Sequence, residues 1–124
     1  CLVAIRAGIV RSAHDCADGG LAVALAECCM TGPEVPLGGT FGIPGDHRPD
    51  VLLFGESASR IVVSVRPGDA EQVEAIARRH GVPCSRLGEV GGQTISFRGK
   101  GFAFSLPVEK VQEIWATSLS KLLD

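Results

Sequence analysis

A chain of 124 residues, 45% hydrophobic and 21% charged with a formal net charge of −2, fits one globular domain with a core of its own, needing neither disulfides nor metal for stability. Twelve basic against 14 acidic residues leave no positive field for nucleic acid, and no apolar run reaches the length of a bilayer span, so neither nucleic acid nor membrane is an expected partner. Five cysteines, an odd number with no pair at the spacing of zinc ribbons or redox motifs, together with the lack of a signal-peptide pattern, predict reduced thiols and a cytoplasmic location.

Residues 2–8 read as the last turns of a helix, and with Cys1 in place of a methionine the chain reads as a piece of something larger. Residues 9–14 suit a strand, turned by Gly19-Gly20 into a helix over 21–30. That helix is apolar on nearly every face except at Glu27, which predicts burial against a sheet, with Asp18 as cap and Thr31-Gly32-Pro33 as stop. Residues 32–49 are rich in Gly and Pro and read mostly as loop, with one short strand near 40–43. Residues 51–54 and 60–65 then read as two strands, the second dense in β-branched residues and closed by Pro67-Gly68.

Asp69 with Gln72 forms a variant capping box for a helix whose Val73, Ile76, Ala77 and His80 share a face and which Gly81 closes. Residues 82–90, 94–98 and 101–105 are three further strand candidates separated by Gly91-Gly92 and Gly99-Lys100. Pro107 opens a final helix with an apolar stripe of Val108, Val111, Trp115, Leu119 and Leu122, which predicts a core position for Trp115. Helical crossovers mixed with hairpins predict an α+β fold, a mixed β-sheet flanked by helices and partly ferredoxin-like, as a single domain over 1–124.

Two segments carry candidate chemistry. In the first, SAHDCADGGL at positions 12–21, a strand passes through Gly19-Gly20 into a helix, leaving N–H groups and a positive dipole end that suit a phosphate. Asp15 and Asp18 repel a phosphate unless a hard divalent cation such as Mg2+ sits between carboxylate and phosphate. The plainer alternative has Asp18 capping the helix and Asp15 bonding amides in the turn. The second segment, Phe54-Gly55-Glu56-Ser57-Ala58-Ser59-Arg60, offers a carboxylate, hydroxyls and a guanidinium for a phosphate or an amine, or else an internal Glu56–Arg60 ion pair over a serine-rich turn.

His14 and Cys16 have the two-residue spacing that lets a thiol and an imidazole share a strand face, but no third orienting group is evident. Cys28, Cys29 and Cys84 read as core residues, His47 as a loop residue and His80 as a helix-end residue. No Walker loop, dinucleotide fingerprint, serine elbow or metalloprotease helix is present.

Residues 12–27 together with Leu53-Phe54-Gly55-Glu56-Ser57-Ala58-Ser59-Arg60 resemble the last domain of the phosphoribosylformylglycinamidine synthase family, in the aminoimidazole-ribonucleotide-synthetase-like superfamily. Gly88-Glu89-Val90 and the closing helix after Pro107 also fit, so the resemblance spans nearly the whole chain. It implies the C-terminal domain of the second of two homologous halves in an ATP- and Mg2+-dependent ligase of purine synthesis. That enzyme converts formylglycinamide ribonucleotide and glutamine-derived ammonia to formylglycinamidine ribonucleotide.

The resemblance further implies that Asp15 helps to hold Mg2+. The residues themselves make Asp18, Gly19, Gly20, Glu56, Ser57, Ser59 and Arg60 the expected nucleotide- or phosphate-binding set. The resemblance implies that Glu56 and Ser57 are second-half counterparts of substrate-lining residues and that no catalytic residue lies in this chain. Where the family usually has a serine touching the nucleotide, this chain has Ala17. The implied partners are the remaining domains of the same polypeptide and, for the small form of the enzyme, a separate glutaminase subunit and a small accessory subunit. Other ATP-using members of the superfamily (aminoimidazole ribonucleotide synthetase, selenophosphate synthetase, thiamine-phosphate kinase) fit the Phe-Gly-Glu-Ser segment with Arg60 less well. A non-catalytic regulatory or interaction module is the rival of a different class.

Overall fold

The computed structural model describes residues 1–31 and 34–123. Its elements are α1 (Leu2–Arg6), β1 (Val10–Asp15), α2 (Gly20–Met30), β2 (Gly39–Gly42), α3 (Pro49–Phe54), β3 (Ile61–Val65), a 3-10 turn (Pro67–Asp69), α4 (Ala70–Arg79), β4 (Gly88–Val90), β5 (Thr94–Gly99), β6 (Phe102–Pro107) and α5 (Val108–Leu123).

The alternation of apolar and polar residues in β5 turns Ile95 and Phe97 inward, and the positive φ of Gly101 lets the chain reverse into β6. The resulting hairpin is one side of a four-stranded mixed sheet, ordered β4-β2-β5-β6, in which β2 runs parallel to β5 and antiparallel to β4. Against this sheet lies α2, which buries Leu21, Ala22, Ala24, Leu25, Cys29 and Met30 with Phe41, Ile43, Leu52, Leu53, Ile95, Phe97 and Val108. A helix without a polar face has no other stable position. The mixed sheet flanked by helices is the architecture that the element order predicts.

A separate antiparallel ribbon pairs β1 with β3, with a register irregularity between Val10 and Ser12. The ladder places Asp15 opposite Ile61, and the Cys16 N–H donates to the Arg60 carbonyl at 3.1 Å, so the pairing runs one step past both strands.

Several expectations need correction. Residues 51–54 are not a strand: they lie in helix α3, which opens on Pro49 with Asp50 in its first turn. Proline at the first helical position and an early acid are helix-start signals that the short apolar run obscured. Of residues 82–90 only Gly88–Val90 form a strand; Val82 is exposed, and the pairing with β2 begins only at Leu87, whose carbonyl accepts from the Gly42 N–H at 2.6 Å. The stripe of α5 is covered only at its start: Val108 is buried and Val111 packs against the core, but Trp115 is 54% exposed, so it is not a core residue.

Among the remaining cysteines Cys29 is buried, Cys28 is half-buried, and Cys84 is exposed rather than core. Asp69 does not bond the backbone of α4; the Gln72 amide donates to its carboxylate at 3.3 Å instead. The last turn of α2 is closed by Thr31, whose hydroxyl donates to the Glu27 carbonyl at 2.7 Å; the expected stop residues Gly32 and Pro33 lie outside the described residues. Among the described residues no helix is long and apolar enough to cross a membrane.

Candidate functional site

At the far end of the ribbon from Val10, the last residue of β1 and the residues leading into β3 face each other across a cleft of about 440 Å³. Asp15 and Ala17 form one wall; Glu56, Ser57, Ser59 and Arg60 form the other. Two segments some forty residues apart in sequence are therefore brought together by the β1–β3 ladder. The Asp15 side chain is 72% exposed, which leaves its carboxylate accessible.

The acid that serves the start of α2 is Glu56, not Asp18. Gly19 is the residue at the helix N-cap, no side chain bonds there from the usual local position, and its N–H donates to Glu56 Oε1 at 2.8 Å. Asp18 itself is exposed. A carboxylate at a helix N-terminus satisfies an orphan N–H and complements the positive dipole end, and here it arrives from 37 residues away. The Gly19 N–H is consequently engaged within the protein, contrary to the reading of a free phosphate cradle.

Gly20 is required for a different reason. It has φ of 81°, and a Cβ on it would lie 2.5 Å from the Phe54 carbonyl carbon, so only glycine lets the end of α3 pack against the start of α2. This contact fixes the Glu56 loop over the helix terminus.

Arg60 does not pair with Glu56. Its Nη2 donates to the Gly55 carbonyl at 2.6 Å, closing the loop on itself, while its Nε is buried with no hydrogen-bond partner among the described residues. Ser59, with φ of 64°, holds the left-handed conformation that a non-glycine residue adopts only under local constraint. The Glu56–Arg60 ion pair that sequence reasoning allowed for this segment is replaced by an arginine clasp onto the Gly55 carbonyl.

His14 does not line the cleft and turns towards α2. Its Nε2 lies 3.0 Å from Glu27 Oε2 and its Nδ1 lies 2.6 Å from the Asp15 carbonyl. Cys16 is buried, and that burial pushes its thiol above the ordinary range despite the opposing pull of Arg60. A protonated thiol in the core, beside a histidine committed to Glu27, does not form the nucleophile–base pair that the spacing allowed. Glu27 is the participant that sequence reasoning missed, although it was the single charge in an otherwise apolar helix and so carried a signal.

Among the described residues no group of three or more His, Cys, Asp and Glu side chains converges as a complete metal site. Asp15 and Glu56 are the exposed carboxylates on the two cleft walls, and Glu56 Oε1 already accepts from the Gly19 N–H.

The sequence model described as AIR synthase related protein, C-terminal domain, matches residues 1–100. The chain belongs to that family. It is 44% identical to the phosphoribosylformylglycinamidine synthase subunit PurL of Anaeromyxobacter sp. (strain Fw109-5) over 127 residues, which cover 97% of this chain and 16% of that relative. In three dimensions it matches Thermotoga maritima PurL complexed with ATP at a TM-score of 0.78 and 24% identity, over 90% of this chain and 20% of the other. It also matches the structure of PurLQS from Thermotoga maritima at a TM-score of 0.76 and 25% identity, over 87% of this chain and 19% of the other. The family's C-terminal domain fold is therefore the fold of this chain, which spans only a small part of the proteins it resembles.

Proposed function

We propose that this chain is the C-terminal domain, in the second half, of an ATP-dependent amidoligase that makes formylglycinamidine ribonucleotide from formylglycinamide ribonucleotide and glutamine-derived ammonia. The observation that carries the reading is that Asp15 and the Glu56–Arg60 segment, the two motifs of the resemblance, share one cleft in a chain 44% identical to a synthase subunit. In the reaction the γ-phosphoryl group of ATP moves to the substrate's amide oxygen. Ammonia then attacks the activated carbon and inorganic phosphate leaves with that oxygen.

The donor set fits a contribution to Mg2+ rather than a whole site. Mg2+ commonly keeps several waters and takes one or two carboxylates plus substrate phosphates, so one exposed Asp15 is a chemically sufficient protein ligand. Bound there, the cation supplies charge neutralisation between carboxylate and phosphate. Ser57 and Ser59 offer hydroxyl donors and Arg60 a guanidinium on the same cleft, whereas Gly19 and Gly20 act by shaping the α2 terminus and the loop packed on it, and Asp18 takes no part in that contact. No group in this chain is assigned to move a proton or attack the substrate.

The rest of the ATP site and the reacting centre belong, on this reading, to other domains of the same polypeptide. A glutaminase subunit and a small accessory subunit are the partners, in keeping with a structural relative solved as PurLQS, and the assembly is cytoplasmic. This chain alone is expected to be inactive. Ala17, on the cleft wall where the family has a serine that contacts nucleotide, removes one such contact and favours a weak or structural nucleotide site in this half.

The test is an assay of the full gene product that carries this segment, supplied with ATP, Mg2+, ammonia and formylglycinamide ribonucleotide. Formylglycinamidine ribonucleotide and ADP are expected in equal amounts. Absence of substrate-dependent ADP release from a folded, nucleotide-binding preparation would overturn the assignment.

A further inference from the structure

We infer that His14 and Glu27 form a positioning pair that aims Asp15 into the cleft. The inference rests on the reading of Asp15 as a Mg2+ ligand and extends it to residues outside the cleft. Asp15 is the last residue of β1, and on one side its backbone is held by the ladder to β3 through Ile61 and by the Cys16 to Arg60 hydrogen bond. On the other side the only side chain that reaches its carbonyl among the described hydrogen bonds is His14, at 2.6 Å. The same imidazole lies 4.0 Å from Asp15 Oδ1, close enough to bias the orientation of the carboxylate.

An imidazole bonded to the Asp15 carbonyl at 2.6 Å orients that residue only if the ring itself is fixed. Glu27 provides that anchor at 3.0 Å, and both side chains are about two-thirds removed from solvent, 32% and 28% exposed. Glu27 sits on α2, whose apolar faces are embedded in the core, so the anchor inherits the rigidity of the best-packed element of the domain. This accounts for a carboxylate on a helix that otherwise carries no charge. Glu56 bonds one end of α2 and Glu27 extends from its third turn, so a single helix references both walls of the cleft.

The arrangement is that of an outer-shell partner to a metal-binding carboxylate, and removal of such partners costs roughly 10–100-fold in metal affinity. The experiment titrates Mg2+ into the full gene product with ADP present and reads the Mg2+ concentration at half-saturation, the number of binding sites, and ADP affinity without Mg2+. Asp15→Ala is expected to raise the half-saturation concentration at least ~10-fold, and Glu27→Gln and His14→Asn ~3–10-fold, less than outright removal because each variant keeps a hydrogen-bonding group in place, with site number and Mg2+-free affinity unchanged. His14→Gln retains a donor near Glu27 but loses the one near the Asp15 carbonyl, whereas His14→Asn does the reverse, so neither should restore the native midpoint. Glu27→Gln is nearly isosteric and keeps the test informative where a His14 variant misfolds.

If Asp15→Ala leaves the midpoint unchanged, the metal-ligand reading falls and this inference with it. If Asp15→Ala shifts the midpoint while Glu27→Gln and His14→Asn do not, the positioning role alone is overturned. A loss of sites with an unchanged midpoint in Glu27→Gln also overturns it, because that is the signature of a purely structural contact.

Discussion

The helices α2 and α5 are both rich in apolar residues, yet one is enclosed and the other is largely bare. Seven of the 11 residues of α2 are buried, whereas of the 16 residues of α5 only Val108 is. The difference lies in what surrounds them. The α2 helix is apolar around its circumference except at Glu27 and is met by α3, by the sheet and by the start of α5, while the stripe on α5 leaves the sheet after its first turn. Periodicity identifies the face a helix offers; coverage depends on a partner that the same stretch of sequence does not encode.

The sharpest way to break this contrast is to truncate a side chain in α2. Leu25 is 3% exposed, and Leu25→Ala removes its core contacts and leaves a cavity, so unfolding in urea should show a loss of about 3 kcal/mol. A loss below about 1 kcal/mol would mean that α2 is not the enclosed element described here.

Burial of the same helix also predicts a pH dependence. Desolvation raises the Cys29 thiol from 9.0 to about 11. Because the folded value lies above the unfolded one, this contribution to stability is complete below pH 9 and is lost as pH rises towards 11. Thermal melts should therefore decline across that window, and Cys29→Ala should flatten part of the decline. An identical slope in the variant would show that Cys29 ionises freely in the folded state. Cys28, raised mainly by burial and then by Glu27, adds in the same direction.

The N-terminus of α2 shows where sequence reading succeeded and where it stopped. The turn at Gly19-Gly20, the helix after it and the need for an acid beside it were all legible, because glycine pairs, an apolar run and a dipole end are local signals. Which acid serves was not, because Glu56 reaches Gly19 only after α3 folds back on Gly20. The same limit hid the tie between His14 and Glu27, whereas residues 51–54 looked like a strand for a local reason, the short apolar run outweighing the helix-start signals at Pro49 and Asp50. Asp15 and Arg60 were legible as candidates, and their meeting in one cleft depends on the β1–β3 register. Glu56→Ala should cost about 1 kcal/mol in stability, and Asp18→Ala close to nothing. Equal losses would return the cap to Asp18.

The smallest effect is expected on α5, and it tests the other half of the comparison. Leu119 is 69% exposed and Leu122 83%, so neither side chain is withdrawn from water by folding of this chain to any useful extent. Leu119→Ala removes apolar surface that is already hydrated and places the best helix former at an exposed position, so the change in unfolding free energy should stay within about 0.5 kcal/mol. The same holds for Trp115→Ala in direction, with a somewhat larger cost because about half of the ring is covered. A loss of more than about 1 kcal/mol for Leu119→Ala would show that the face is covered in solution. If that loss grew with protein concentration, a second copy would be the cover, since only association makes stability depend on concentration.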